Sequence, residues 1–196
     1  MKHPEFYSNF YKKDKLGFDL TLVKKGFEKY KSHFKGSNCL ELGPSYGYMT
    51  SELVEVFERV VVVEGSQTLF KSIPNFNNLE KHNSLFENFS TEEKFDTIIL
   101  NHVLEHIENP VSLLKRIKTW LTPEGVLIVL TPDWKSQFRS FYDDYTHIKP
   151  FTKKGLRAAI SQNGFKDIYC DYFLQLPFIW KYPFLKFIPK IIELLP

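Results

Sequence analysis

The chain has 196 residues, of which 43% are hydrophobic and 25% are charged, so it can form one globular domain and is neither disordered nor a coiled coil. Its 26 basic and 23 acidic residues leave a net charge of +3, a basic excess too small for a protein held on nucleic acid by phosphate contacts. Aromatic residues make up 16% of the chain, which makes their distribution along it informative.

Short apolar runs alternate with helical patterns, and this alternation predicts an α/β fold with a largely parallel sheet. The predicted strands are Asn38–Leu42, Arg59–Glu64, Asn78–Lys81, Phe95–Leu100 and Gly125–Leu130. The predicted helices are Leu16–Phe34, Ser45–Phe57, Ser66–Ile73, Pro110–Leu121 and Lys153–Asn163. The fourth helix is the clearest, since Asn109 is a typical N-cap residue and Pro110 fits the first turn. Residues 122–125 are predicted to turn the chain into the fifth strand.

The most informative segment is a glycine-containing turn, Glu41-Leu-Gly-Pro-Ser-Tyr-Gly47, which follows the first predicted strand. Glycines lack the Cβ atoms that would obstruct a sharp backbone turn and the close approach of a ligand. The second predicted strand ends at Glu64, and a carboxylate at such a strand end can accept both hydroxyls of a ribose.

A dinucleotide site has a related turn with the spacing G-x-G-x-x-G. This sequence instead has Ser45 between Gly43 and Gly47, and the carboxylate of Glu41 would repel a pyrophosphate. The residues therefore favour a nucleoside ligand that carries positive charge. An ordinary strand-to-helix turn, with Glu64 merely solvated, is the alternative.

Four segments, in order along the chain, resemble motifs of the class I S-adenosylmethionine-dependent methyltransferases. The glycine turn resembles their motif I, and Val60–Glu64 is similar to their acidic second-strand motif. Phe95–Pro110 resembles the fourth-strand signature of the small-molecule branch, and Leu113–Gly125 the helix and turn that follow it. The resemblance spans about residues 36–165. It implies S-adenosylmethionine as cofactor and a Rossmann-like fold whose seven-stranded, mostly parallel sheet has helices on both faces. Lys166–Phe173 is the candidate for the first strand of the antiparallel hairpin that closes this fold.

The resemblance also implies which residues bind the cofactor. Glu41 and the loop formed by Gly43, Ser45 and Gly47 would lie along its methionine part, with Ser45 in place of the family's middle glycine. Glu64 would hold the ribose. The family's adenine-binding position is occupied by Asn83, Ser84 and Leu85, and Asn101 would contact the methionine amino group.

Two histidines are candidates for a general base, which methyl transfer to a hydroxyl requires. His106 follows the fourth strand, and its alternative role is structural packing of that loop. His147 follows the fifth strand, where the branch often carries an Asp-x-x-His element facing the acceptor; its alternative role is to cap the next helix or bond to Asp143 or Asp144. Neither segment has convincing metal-ligand spacing with a third ligand, so no metal is predicted.

We therefore predict a methyltransferase that acts on a small-molecule, sugar or lipid-linked acceptor, with O-methylation as the favoured reaction. A quinone-type C-methyltransferase and a non-catalytic S-adenosylmethionine-binding accessory protein are the alternatives. Asn101-His102-Val103-Leu104 differs from the Asn/Asp-Pro-Pro-aromatic motif of family members that methylate nucleic-acid amino groups, so a nucleic-acid partner is not expected.

The chain is predicted to form a single domain over 1–196, made of an N-terminal helical cap at 1–35, a cofactor-binding core at 36–131 and an acceptor-side segment at 132–196. Most aromatic residues lie outside that core. Residues 178–196 carry a wide apolar face that must be covered, either by this domain, by a second copy in a homodimer, or by the surface of a membrane.

The sequence also favours a cytoplasmic enzyme, either free or bound peripherally to the membrane. The N-terminal residues contain no continuous apolar run of the kind found in signal peptides, and no apolar stretch is long enough to span a bilayer. Cys39 and Cys170 are predicted to be buried thiols in a reducing compartment, because two distant cysteines cannot form a disulfide scaffold.

Overall fold

The computed structural model describes residues 5–6 and 16–187. At its centre is a five-stranded sheet in which every pairing is parallel and the strand order is β3-β2-β1-β4-β5. The strands are β1 Asn38–Leu42, β2 Arg59–Glu64, β3 Leu79–Asn83, β4 Phe95–Asn101 and β5 Leu121–Leu130. The sequence order reverses direction at β1, which places β1 between β2 and β4.

The α-helices are α1 Leu16–Tyr30, α2 Tyr48–Leu53, α3 Gln67–Ser72, α4 Pro110–Trp120, α5 Trp134–Gln137, α6 Lys153–Gln162 and α7 Pro177–Lys181. Short 3-10 helices occupy Lys31–His33, Leu104–His106, Phe141–Asp143 and Pro183–Phe187. As predicted, Asn109 caps α4, because its side chain accepts a hydrogen bond from the backbone N–H of Ser112 at 3.0 Å.

Helices cover both faces of the sheet, as predicted. Successive side chains of a strand point to opposite faces, so each strand contributes to two cores. One core joins the strand residues Leu40 and Leu42 to α4 and also includes Phe151. The other joins Cys39 and Val62 to α1 and α2. Glu41 alternates with these apolar residues and is therefore buried on the face covered by α1 and α2.

The sheet of the described residues has five strands rather than the predicted seven, while its parallel core and its flanking helices are confirmed. Lys166–Phe173 is not a strand. Asp167 adopts a left-handed φ of 51°, which interrupts extended backbone. Asp171 instead pairs with Lys29 at 3.4 Å and Lys153 at 3.6 Å, so side-chain ion pairs hold this segment in place of a backbone ladder.

Two predicted boundaries differ for local reasons. The second helix begins at Tyr48 rather than Ser45, because Ser45 and Gly47 have left-handed φ values of 53° and 76°. The predicted turn at 122–125 belongs to β5, since Leu121 already pairs with Phe95 before a register shift in the ladder. Cys39 is buried as predicted, whereas Cys170 is only partly buried; both are free thiols.

The structure describes residues 178–187 of the apolar tail, and 188–196 lie outside the described residues. Ile179 is buried, and the indole N–H of Trp180 donates to the carbonyl of Leu174 at 2.8 Å, so this part of the tail packs on the domain. Phe184 and Phe187 are exposed. In the described part of the chain, no helix is both long and apolar enough to cross a membrane. The membrane and homodimer contacts of this tail stay predictions.

Candidate active site

The candidate site lies where the carboxyl ends of β1, β2, β3 and β4 meet. Leu42 pairs with Val63 on one side and with Leu100 on the other, so the residues that follow β1 lie between the ends of β2 and β4. Glu64 pairs with Asn83 at the end of β3. Because the strand order reverses at β1, this edge of the sheet forms the crevice in which open α/β sheets bind ligands.

The glycine turn enters this crevice in a left-handed conformation. Gly43, Ser45 and Gly47 have φ values of 72°, 53° and 76°. A Cβ atom at Gly43 would lie 2.7 Å from Cγ2 of Val103, so a side chain there would clash with the loop after β4. Ser45 takes the same left-handed conformation without being glycine, and this conformation costs an L-residue about 1–2 kcal/mol.

Glu64 is tied directly to that turn. Its carboxylate accepts hydrogen bonds from the backbone N–H of Ser45 at 3.1 Å and of Ser66 at 2.9 Å. Despite these hydrogen bonds, burial, with a smaller contribution from the nearby charge of Glu5, raises the pKa of Glu64 to about 7. The turn and the second-strand carboxylate, which the sequence predicts as two parts of one site, are therefore in contact.

Glu41 adds a second buried carboxylate below the turn. Its Oε2 accepts a hydrogen bond from the hydroxyl of Thr50 at 2.6 Å, and only 1% of the residue is exposed. Burial raises the pKa of Glu41 to about 7, with a further contribution from Glu64. Within residues 5–6 and 16–187, no lysine, arginine or histidine forms an ion pair with either carboxylate. Such a pair of carboxylates favours a cationic ligand.

The predicted adenine-binding residues lie beside Glu64. The side-chain amide of Asn83 donates to the carbonyl of Glu64 at 2.8 Å, and the backbone N–H of Ser84 donates to the same carbonyl at 3.1 Å. Leu85 is half-buried, and its carbonyl accepts hydrogen bonds from the following turn. The segment is therefore held at the crevice by backbone and amide contacts.

Asn101 lies at the end of β4 and lines a cavity of about 160 Å³. Helix α1 forms one wall of this cavity, which sequence reasoning missed because α1 is 71 residues or more away from Asn101 in the chain. The lining residues are Leu22, Val23, Gly26, Tyr30, Asn101, His102, Leu130, Phe173 and Gln175.

The two candidate histidines, 41 residues apart in sequence, are brought together beyond the end of β4. Their ring centroids lie 4.8 Å apart. Nδ1 of His106 lies 3.0 Å from the hydroxyl oxygen of Thr146, and Nδ1 of His147 lies 2.6 Å from the carbonyl oxygen of Phe141. Burial lowers the pKa of His106, which favours its neutral form. His147 also lies 3.7 Å from Asp144, the partner that the sequence offers as its structural alternative.

Glu105 connects the two loops that carry these histidines. Its backbone carbonyl accepts hydrogen bonds from the N–H groups of Ile148 at 3.0 Å and Lys149 at 2.9 Å. Its side chain is fully buried and lies 3.2 Å from Nδ1 of His102. Burial raises its pKa, but the hydrogen bond and charge of His102 outweigh burial, so the net pKa is below the ordinary value.

A family model described as a methyltransferase domain matches residues 20–169. A search of curated proteins found no match. The fold resembles that of an S-adenosylmethionine-dependent methyltransferase from Archaeoglobus fulgidus, with 20% identity and a TM-score of 0.71 over 86% of this chain and 78% of that one. A Mesorhizobium loti S-adenosylmethionine-dependent methyltransferase has 12% identity and a TM-score of 0.69, over 83% and 91%.

A third solved structure, the plantazolicin methyltransferase BpumL in complex with SAH, has 15% identity and a TM-score of 0.63 over 82% of this chain and 68% of that one. These likenesses establish the fold, and the family model covers most of the chain, including every strand of the sheet. The chain therefore belongs to the methyltransferase-domain family and is a class I S-adenosylmethionine-dependent methyltransferase.

Proposed function

We propose that this methyltransferase acts on a hydroxyl oxygen of a small-molecule, sugar or lipid-linked acceptor. The observation that carries the proposal is the convergence of His106 and His147, whose rings lie 4.8 Å apart beyond the end of β4. A hydroxyl must lose its proton during methyl transfer, so the acceptor needs a neighbouring group that promotes this loss. Two imidazoles beside the cofactor crevice meet that need.

The crevice suits S-adenosylmethionine, which carries a sulfonium and an ammonium group. Glu41 and Glu64 provide buried negative charge, and no cationic side chain of the described residues is paired with them. We assign the ribose hydroxyls to Glu64 and the methionine part to Glu41 and the loop Gly43–Gly47. We assign the adenine to Asn83–Leu85 and the methionine amino group to Asn101.

In the transfer, the chain positions the acceptor next to the methyl group and excludes water from it. The bound cofactor supplies the methyl group, and in-line attack requires the acceptor oxygen about 3–3.5 Å from its carbon. Next to His147, an aromatic cluster of Phe141, Trp134 and Tyr142 offers a surface for the acceptor. Tyr142 is exposed. An exposed ring in the cluster that contacts His147 through Phe141 supports an acceptor with an apolar face, such as a sugar ring or a lipid-linked glycan.

The proposal is tested first by binding and then by turnover. Calorimetry should detect binding of S-adenosylmethionine and its demethylated product, and methyl-labelled cofactor should then label hydroxyls in a panel of sugars, lipid-linked glycans and quinols. His106→Gln and His147→Gln should each lower kcat by about 10²–10⁴-fold while leaving the affinity for the demethylated product unchanged. His33→Gln, a change of an exposed histidine, is the matched control. Absence of binding to either form of the cofactor would refute the proposal.

The same assays separate the alternatives. Label recovered on a ring carbon of a quinol would identify a quinone-type C-methyltransferase. Binding of the cofactor without transfer to any member of the panel would identify a non-catalytic accessory protein, the alternative that Ser45 in the middle glycine position favours.

A further inference from the structure

Three side chains of metal-ligand type converge where the loop after β4 meets the loop after β5. They are Glu105, His106 and His147, and one potential ligand atom of each lies within 4.8 Å of those of the other two. The cluster joins two loops that are 41 residues apart in sequence, and the hydrogen bonds from Ile148 and Lys149 to the carbonyl of Glu105 hold these loops together.

The hydrogen bonds around His147 determine which of its ring nitrogens carries the proton. A carbonyl oxygen can only accept, so Nδ1 of His147, 2.6 Å from the carbonyl oxygen of Phe141, must be the protonated nitrogen. Nε2 of His147 lies 3.7 Å from a carboxylate oxygen of Asp144, and in the neutral ring it carries the lone pair that a metal ion needs.

The same reasoning applies to His106 through one more residue. The hydroxyl of Thr146 donates to the carboxylate of Asp144, which can only accept. The hydroxyl oxygen of Thr146 therefore accepts the proton of Nδ1 of His106, 3.0 Å away. Histidines that bind metals usually donate their other ring N–H to a carbonyl or a carboxylate-linked group, and both rings show this arrangement.

Glu105 supplies an independent observation. Its side chain is fully buried, and its Oε2 has no hydrogen-bond partner, although buried carboxylate oxygens nearly always have one. Its other oxygen, Oε1, lies 3.2 Å from Nδ1 of His102. A fully buried carboxylate oxygen without a hydrogen-bond partner, in a cluster with two imidazole rings, is part of a donor set that a cation completes.

We propose that Glu105, His106 and His147 bind one divalent transition-metal ion, with Zn²⁺ as the ion that this donor set suits best. Two imidazoles and one carboxylate favour Zn²⁺ over Mg²⁺ or Ca²⁺, which prefer oxygen ligands. Tetrahedral ligands about 2.0–2.2 Å from zinc lie about 3.3–3.6 Å apart. The three groups, at most 4.8 Å apart, therefore have to approach one another by about 1.5 Å at most to bind one ion.

Three protein ligands leave one coordination position open, as in catalytic zinc sites. This inference rests on the proposed function in one respect: the open position would take the acceptor hydroxyl. The bound O–H bond then breaks and its proton passes to water. The oxygen forms a bond to the methyl carbon as the carbon–sulfur bond breaks, and that electron pair neutralises the sulfonium. In this reaction the two histidines would promote loss of the hydroxyl proton as ligands of the metal ion, which as a Lewis acid would lower the pKa of the bound hydroxyl so that water can take the proton.

Metal binding is measured on the full chain without reference to methyl transfer. After removal of metal with a chelator, Co²⁺ should bind in one equivalent and give visible d–d absorption, and Zn²⁺ should displace it and abolish the absorption. His147→Gln and Glu105→Gln should abolish the Co²⁺ spectrum. His82→Gln is the matched control, because His82 also lies beside a glutamate, Glu80, but on the exposed edge of the sheet.

A milder variant keeps the test valid if the ligand variants fail to fold. Thr146→Val removes the hydroxyl that holds His106 and leaves all three ligands in place, so it should weaken Zn²⁺ affinity about 10–100-fold. A chain that binds no Co²⁺, or whose Co²⁺ spectrum is unchanged in His147→Gln, would overturn the inference. Cofactor binding measured on the same samples separates the two proposals. If the chain binds the demethylated cofactor but no metal ion, only the metal site is refuted. If it binds the metal ion but neither form of the cofactor, only the proposed function is refuted.

Discussion

Replacement of Glu64 by glutamine should stabilise the free protein in alkaline solution and weaken its affinity for the cofactor. Burial raises the pKa of Glu64 from 4.5 to about 7, so the folded chain holds a proton that the unfolded chain releases at lower pH. The contribution of this group to folding is therefore fully present below about pH 4.5 and is lost as the pH rises through about 7. Above that pH, a shift of this size corresponds to about 3 kcal/mol of destabilisation.

Glutamine does not ionise, so the substitution removes the destabilisation that the ionised carboxylate causes at high pH. It also replaces one of the two acceptor oxygens by an amide group that cannot accept a hydrogen bond. Both carboxylate oxygens of Glu64 accept backbone hydrogen bonds, from Ser45 and Ser66, and a glutamine side chain can accept only one of them. The loss costs about 1–2 kcal/mol. The net gain at about pH 8.5 should therefore be about 1–2 kcal/mol, or about 2–8 °C in Tm for a chain of this size.

The assay is thermal or urea unfolding of Glu64→Gln and the parent chain across pH, with calorimetry of the demethylated cofactor. Affinity should fall about 10–100-fold, because a charge-assisted hydrogen bond to the ribose is lost. Glu80→Gln on the neighbouring strand is the control, since Glu80 is exposed, pairs with Arg59 and has a lowered pKa. It should leave alkaline stability unchanged or slightly reduced. A Glu64→Gln variant that is destabilised equally at low and high pH would refute the reasoning.

Three further outcomes are expected. The affinity for S-adenosylmethionine should fall as the pH is lowered through about 7, where the two buried carboxylates take up protons, and calorimetry across pH checks this. Gly43→Ala should destabilise the chain by several kcal/mol, because the new Cβ would lie 2.7 Å from Val103; Gly164→Ala, with a φ of 83° but nothing within 4 Å, should lose only about 1–2 kcal/mol in urea unfolding. If the tail docks on membranes, replacing the exposed Phe184 and Phe187 by serine should reduce flotation with anionic liposomes, and unchanged flotation would contradict the docking.

The contact between the glycine turn and Glu64 was predictable because its determinants are local. The strand β1, the turn at Gly43 and the carboxylate at the end of β2 each depend on residue types within a few positions of one another, and parallel pairing then aligns their ends without further information. The hydrogen bond between Ser45 and Glu64 follows from that alignment.

The remaining features depend on contacts between distant segments, which spacing alone does not encode. Lys166–Phe173 has apolar residues at strand-like intervals, but its conformation depends on Asp167 and on ion pairs of Asp171 with α1 and α6. The wall that α1 forms around Asn101 and the contact between His106 and His147 likewise depend on how helices and loops pack. Sequence reasoning judged each histidine separately and therefore found no third metal ligand.

Glu41, Glu64 and Glu105 share a property that connects the two parts of the site. Each is a buried carboxylate at the carboxyl edge of the sheet. Burial raises the pKa of Glu41 and Glu64, whereas the contacts with His102 lower the pKa of Glu105. The ionised forms of Glu41 and Glu64 make the ligand-free fold less stable, and a cationic ligand that neutralises them regains this free energy on binding. It follows that the stabilisation of this chain by S-adenosylmethionine should be larger above about pH 7 than below it, while stabilisation by a metal ion at Glu105 should add to it independently, since the two sites bind different cations.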